Sequence, residues 1–193
     1  MQPRKQKLKL REMKIKINKA TVAAIIFGVL FVLVPTVSLA ADEAEVRGTV
    51  QKVFQQLKSG DYHALYDSLP SSSRARTSRE RFSSALKRAQ NMYTLDRIDV
   101  GQVRLAKDIA VVDTVLYGRV TAPITAEGKI VVQQYLVRED GKWRVATGDT
   151  GTIKKFLASN PAFRAKFPIR QPRVYVRQGS NWVEFAPGKQ PRR

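Results

Sequence analysis

The feature that most constrains the fold is a change in hydrophobic periodicity at Tyr93. Before this residue, apolar side chains recur with the 3.6-residue spacing of helices that have one buried side. After it they alternate, as in strands that have one buried face. A chain with helices first and strands second can bury both apolar sets by laying the helices across a sheet. The sequence therefore predicts an α+β fold.

Three helices are predicted before the change in period. Apolar residues recur every three or four positions in the first, and Gly60 is placed to end it because glycine readily adopts a left-handed C-terminal cap. Asp61 is placed to cap the second helix. Thr77 and Glu80 have the spacing of a capping box at the start of the third, and the basic stretch 71–76 before it is interpreted as a loop. The three helices are assigned to residues 44–59, 60–70 and 77–90.

Four strand-like runs follow Tyr93 and are separated by short turns. Antiparallel pairing of consecutive runs is the natural result, so we expect a curved four-stranded sheet with the helices on its concave side. The runs are residues 94–105, 110–121, 129–138 and 142–147.

A basic extension follows the predicted sheet. Short helices are expected over residues 152–158 and 162–167, with Pro161 at the first position of the second helix. Alternating residues on either side of Gly179 predict a β-hairpin over residues 173–185. The predicted limits are therefore 41–148 for the α+β domain and 149–193 for the extension.

The first forty residues have the organisation of a signal peptide. Lysines precede an apolar run at residues 20–34, which Pro35 ends. Ser38 and Ala40 then occupy the −3 and −1 positions of a cut before Ala41. The protein is therefore predicted to be exported from a bacterial cytoplasm, to the periplasm or the extracellular space.

Two alternatives stay open for this segment. Residues 20–41 are 22 residues long, which is enough to span a bilayer as an uncleaved anchor. Met13 begins a shorter signal of the usual kind and is an alternative start, which would leave residues 1–12 outside the protein.

Charge and cysteine content limit the functions that fit this sequence. There is no cysteine, which excludes disulfides, thiolate metal sites and thiol catalysis in these residues. Residues 41–193 carry 27 Lys and Arg against 15 Asp and Glu, a net charge of +12. Beyond the membrane the abundant polyanions are lipid head groups and wall polymers, so we expect an anionic envelope component or an envelope protein as partner rather than nucleic acid. A charge that serves only solubility is the alternative.

Basic and aromatic residues are interleaved in the extension and form the predicted partner surface. In the alternative interpretation the aromatic rings pack the hairpin onto the domain and the charges are merely solvated. The predicted surface comprises Lys154, Lys155, Arg164, Lys166, Arg170, Arg173, Tyr175, Arg177 and Trp182.

Two local phrases, together with the order of elements, resemble the nuclear transport factor 2-like superfamily, which includes SnoaL-like and ketosteroid-isomerase-like proteins. GDYHALYDSL at residues 60–69 is similar to its first helix turning into the second, and QYLVREDGKWRV at residues 134–145 is similar to its final hairpin. The resemblance covers about residues 44–148. It implies a cone-shaped fold whose pocket holds a small apolar molecule, catalyses a reaction or is filled, and a sheet face of the kind that supports a homodimer.

Two classes of function fit this resemblance: a non-catalytic binding or interaction domain, and an isomerase- or dehydratase-like enzyme. The enzyme needs a carboxylate base and a hydrogen-bond donor inside the cone. Asp113, with Tyr117 or Tyr135, would supply them if that face of residues 110–121 pointed inward.

The other face of residues 110–121 is more uniformly apolar and is the better candidate for the core. Asp113 would then pair with Arg104 or Arg119 on the outer sheet surface. No cofactor or metal site is predicted, since His63 is the only histidine.

Overall fold

The computed structural model describes residues 35–121 and 125–185. The chain divides into two compact units, Met1–Leu39 and Ala40–Arg193, and the sheet belongs to the second. The predicted signal peptide and the alternative anchor lie mostly outside the described residues. Within the described part of the chain, no helix is long and apolar enough to cross a bilayer.

The described residues form helices and strands in the predicted order, which confirms the α+β class. Strand β1 starts at Tyr93, where the period of the sequence changes. The helices are α1 (Pro35–Ser59), α2 (Tyr62–Asp67), α3 (Ser71–Arg76), α4 (Arg79–Gln90), α5 (Thr150–Ala158) and α6 (Pro161–Lys166). The strands are β1 (Tyr93–Ala106), β2 (Ile109–Val120), β3 (Ala126–Glu139), β4 (Lys142–Val145), β5 (Arg173–Gln178) and β6 (Asn181–Glu184).

Two predictions ahead of the sheet are wrong. The basic stretch 71–76 is helix α3 rather than a loop. The Tyr66 hydroxyl contacts the carbonyl oxygens of Arg74 and Thr77 at 2.9 and 2.8 Å and so holds the end of this helix. Ser78, not Thr77, caps α4, because its Oγ accepts the N–H of Arg81 at 3.3 Å.

The sheet has six strands rather than the predicted four, in the order β1-β2-β3-β5-β6, and β4 also pairs with β3. All pairs are antiparallel. Two strands share one edge of β3: β5 pairs with it from Gly128 to Val131, and β4 pairs with it from Leu136 to Glu139. The predicted hairpin therefore extends the main sheet. The prediction of four strands was wrong because β3 has 14 residues, which is long enough for β4 and β5 to pair with different parts of the same edge.

Helix α1 covers one face of the sheet, here termed the helix face. Ala110 and Val112 of β2 lie on this face, which the sequence indicated as core-facing. Trp143 of β4 is buried among the same residues. The cluster comprises Val46, Val50, Ala110, Val112, Leu136, Trp143 and Val145.

The opposite face, here termed the back face, is covered at one end by α5 and α6. The helices of the extension therefore form a second helical layer, on the face opposite the one that α1 covers. Alternation along β2 and β3 places a second set of apolar side chains on the back face, and the extension supplies the apolar residues that bury them. This cluster comprises Ile109, Val111, Tyr135, Val137, Ala146, Ile153 and Leu157.

Asp149 anchors α5 to α3. Its carboxylate accepts hydrogen bonds from the N–H and hydroxyl of Thr152 at 3.1 and 2.7 Å and from the Ser73 hydroxyl at 2.5 Å. Arg76 forms an ion pair with this carboxylate at 2.5 Å, and the Asp149 side chain is 11% exposed. Burial opposes ionisation, but these donors together outweigh it and hold the pKa of Asp149 well below its ordinary value.

Asp149→Ala should lower the free energy of unfolding by about 2 kcal/mol, because it removes the cap of α5 and leaves Ser73 and Arg76 without their acceptor. Urea titration measures the effect, and Asp108→Ala, at an exposed turn residue, is the control. Because the folded-state pKa is lowered, the stabilisation is complete above the unfolded-state pKa of about 4 and is lost as the pH falls further. A difference between wild type and Asp149→Ala that did not shrink on acidification would refute this assignment.

Candidate functional site

The helix face encloses little free volume. The cavity between α1 and the sheet measures about 20 Å³, which is room for about one water molecule. Its lining is apolar apart from Gln134. Sites for small organic ligands usually measure about 300–1,000 Å³. The resemblance implies a pocket in this position, and the side chains of α1 and the sheet fill it.

Asp113 lies on the back face. Its carboxylate pairs with Arg104 at 2.7 Å and accepts a hydrogen bond from Gln133 Nε2 at 3.2 Å. The Arg104 hydrogen bond lowers the pKa of Asp113, and it prevails over burial, which acts in the opposite direction. A general base for reactions near neutral pH needs a raised carboxyl pKa. Asp113 has the opposite shift, and its side chain is 43% exposed.

The two candidate donors do not converge on Asp113. The Tyr135 hydroxyl donates to the carbonyl oxygen of Pro168 at 2.9 Å, and burial raises the pKa of this hydroxyl. Tyr135 approaches Asp113 only through Gln133, whose Oε1 lies 3.5 Å from the Tyr135 hydroxyl. Tyr117 packs edge-on against Trp182 instead, with 6.4 Å between ring centroids. The enzyme alternative gains no support from these three residues.

A row of cationic and aromatic side chains crosses the back face. The strand register pairs Arg97 with Tyr117, Tyr117 with Lys129, and Lys129 with Tyr175. The Arg97 guanidinium lies 3.7 Å from the Tyr117 ring centroid, and Lys129 Nζ lies 4.7 Å from that of Trp182. These are cation–π contacts. The aromatic rings therefore hold the Arg97 and Lys129 side chains against the surface of the sheet.

Two open grooves occupy this part of the back face. The first measures about 370 Å³ and brings Arg170 and Arg173 together with Asp113. The second measures about 560 Å³ and brings Arg177 and Trp182 together with Tyr117. Residues predicted separately as catalytic candidates and as partner surface thus line the same grooves.

The cations of α5 and α6 point to solvent. The apolar residues of these helices are committed to the back-face cluster, which leaves the charged ones exposed. Residues 150–183 contain seven Lys and Arg and no Asp or Glu. Within the described residues, Arg177 is the only one of the seven in an ion pair, with Glu127 at 2.8 Å. All seven are exposed, and the four that lie on α5 and α6, here termed the helical cations, are Lys154, Lys155, Arg164 and Lys166.

Sequence reasoning missed Arg97, Lys129 and Gln133. A register irregularity between Leu95 and Arg97 helps to place Arg97 beside Tyr117, and strict alternation does not reveal it. Lys129 and Gln133 fall on the back-face side of β3, and their partners Tyr117 and Asp113 depend on the exact register of the β2–β3 hairpin. Lys129 also pairs with Tyr175 of β5, which is distant in sequence. No cluster of metal-binding side chains occurs among the residues that the structure describes.

No protein-family model matches this sequence, and no curated protein matches it. Solved structures that are similar to it in fold include the following two. One is a Mycobacterium tuberculosis protein of unknown function, Rv3472, with 11% identity and a TM-score of 0.42 over 58% of this chain and 72% of that one. The other is an NTF2-like protein with a cystatin-like fold from Novosphingobium aromaticivorans, with 12% identity and a TM-score of 0.41 over 67% and 86%. Neither likeness bears on function.

The carboxyl of Asp113 should titrate below the ordinary range of an aspartate. Carbon-13 NMR of the side-chain carboxyl measures this, and Arg104→Gln should move the pKa upward because it removes the main hydrogen bond to the carboxylate. Arg119→Gln is the matched control, since Arg119 pairs with Asp96 instead. An Asp113 pKa close to neutral would instead favour the enzyme alternative.

Proposed function

We propose that residues 44–148 form a nuclear transport factor 2-like domain whose role is docking rather than catalysis. Its partner is an anionic component of the cell envelope, and the helical cations supply the principal contact. The domain acts after export, with residues 1–40 as its signal peptide.

The observation that carries this proposal is the division of α5 and α6 into two sides. Ile153 and Leu157 of α5 are each 2% exposed and pack on the sheet, and Phe163 of α6 packs against the same cluster. Because those side chains fix the helices, Lys154, Lys155 and Lys166 are displayed on a rigid surface without acidic neighbours in the segment. Each Lys or Arg near an anionic membrane contributes on the order of 1 kcal/mol of binding free energy.

The back-face grooves extend the same surface with a mixed character. Arg170 and Arg173 line the first groove and form no ion pair within the described residues. The second groove also contains the carboxylates of Asp96 and Glu127, which pair with arginines. Among the residues that line these two grooves, the cations without an ion pair both belong to the extension, which supports assigning the main contact to it.

Helix α1 begins at Pro35, so cleavage before Ala41 would give it a new amino terminus. Asp42 and Glu43 would then lie in its first turn, where negative charge is stabilising. Asp42 and Glu45 also pair with Arg138 of β3 at 2.7 and 3.3 Å. Cleavage before Ala41 would therefore leave α1 both capped by charge and attached to the sheet.

Charge reversal tests the docking surface. The triple variant Lys154→Glu, Lys155→Glu, Lys166→Glu should lower affinity for phosphatidylglycerol vesicles or isolated anionic wall polymer at least about tenfold, because it reverses three contact charges. Added salt should weaken binding of the unaltered protein. Co-sedimentation measures both effects.

The matched control makes the same change in net charge on another helix. Arg81→Glu, Lys87→Glu, Arg88→Glu alters three exposed residues of α4 and should change affinity less than about threefold. Equal losses in the two triple variants would show that only net charge matters. The proposal would also be contradicted if the unaltered protein bound neither the phosphatidylglycerol vesicles nor the wall polymer.

Export can be tested independently of docking. Amino-terminal sequencing of the protein recovered from the periplasm or medium of an expressing bacterium should begin at Ala41. Replacing Ala40 with Arg should block the cut, since a small residue is needed at −1. Recovery of the protein from the cytoplasm alone, or from the membrane with residues 20–41 still attached, would contradict this assignment.

A further inference from the structure

A cleft on the helix side of the molecule has features of a ligand site. It measures about 400 Å³, a volume that suits a small organic ion. It is lined by α1, by the end of α2 and by β4. Lys52 and Gln56 face it from a side of α1 that lies next to the buried apolar stripe. The cleft is therefore separate from the filled cavity beneath α1 and from the back face.

The unneutralised charges of this cleft are positive. Lys52 of α1 and Lys142 of β4 are exposed, and neither forms an ion pair within the described residues. The lining also contains two carboxylates, but both are engaged by arginines that do not line the cleft. Asp67 pairs with Arg79 at 2.6 Å, and Glu45 pairs with Arg138 at 3.3 Å.

Two lining residues have buried N–H groups without an acceptor. Trp143 is 4% exposed and its Nε1–H has no hydrogen-bond partner. The Nε–H of Arg144 is likewise buried and unpaired, although another N–H of the same guanidinium donates to the carbonyl oxygen of Asp67. A buried donor without an acceptor costs about 1–3 kcal/mol and is uncommon in folded proteins. An acceptor entering the cleft after a small movement of these side chains would remove that cost.

We propose that this cleft binds a small multivalent oxyanion, bearing phosphate or carboxylate groups. Lys52 and Lys142 supply charge from two different elements, and a lysine ammonium suits either group as a compact point charge. Trp143 and Arg144, which also line the cleft, carry the N–H groups without an acceptor, and the amide of Gln56, 9% exposed, adds a polar group. The site does not depend on the docking function proposed above.

The two tryptophans make the proposal directly measurable. Trp143 lines the cleft and Trp182 lines a back-face groove, so nitrogen-15 NMR of the full chain yields one indole signal for each location. Titration with inorganic pyrophosphate, and separately with citrate, should move the Trp143 Nε1–H signal downfield to saturation, with a midpoint that does not depend on any change at Trp182. Sodium chloride at equal ionic strength should move neither.

Matched variants separate a specific site from general attraction. Lys52→Gln with Lys142→Gln should weaken binding at least about tenfold, since both lysine charges of the cleft are removed and the Arg144 guanidinium is the one lining cation left. Lys87→Gln with Arg88→Gln, which removes two exposed charges of α4, should leave it unchanged. A response to one anion or to both, lost in the first variant alone, supports the site and identifies the group it prefers. No saturable Trp143 response to either anion, an equal response to chloride, or equal binding by the two variants would overturn it.

Discussion

Both faces of this protein depend on the pairing of β3. It pairs with β2 along the whole of Ile109–Val120, and β4 and β5 divide its other edge. Side chains alternate along a strand, so one register sends Leu136 to the helix face and Tyr135 to the back face. A slip of one residue would exchange every side chain between the faces. The apolar residues buried on both faces where α1, α5 and α6 pack are what hold that register.

Burial on two faces explains how one basic segment can be both packed and available. The apolar sides of α5 and α6 complete the back-face core, and Asp149 fixes the start of α5 through Ser73, Thr152 and Arg76. The charged sides are then held toward solvent by the same contacts. A lysine surface built on packed helices loses less conformational freedom on binding than a free tail would. The excess of basic residues in the extension is thereby arranged on an ordered surface formed by α5 and α6.

Local chemistry made the elements predictable, while non-local pairing decided the rest. Gly60 has a φ of +76°, as its place after α1 required, and Asp61 accepts the N–H of Ala64 as a helix cap. These features depend on neighbours in sequence. The helix α3 depends on Tyr66, which contacts carbonyl oxygens at its end, so the serine and arginine composition of the segment gave no signal for it.

The candidate site was predictable to the same extent. The exposed lysines of the extension follow from its helical spacing, and the pairing of Asp113 with Arg104 was among the alternatives drawn from the sequence. Asp113 and Arg170 line one groove, and Tyr117 and Trp182 line another. Both arrangements arise because β5 and β6 join the sheet. That step brings together residues more than fifty positions apart, and no local pattern specifies it.

The most direct test of the account uses the absence of cysteine from this sequence, since one introduced thiol can be labelled uniquely. An environment-sensitive fluorophore is attached at Ser159→Cys, exposed at the end of α5, and in a second sample at Ser84→Cys, exposed on α4. With anionic vesicles that contain brominated lipid, the account predicts quenching at position 159 and none at position 84. Equal quenching at the two positions, or quenching at position 84 alone, would contradict the claim that α5 and α6 form the docking surface.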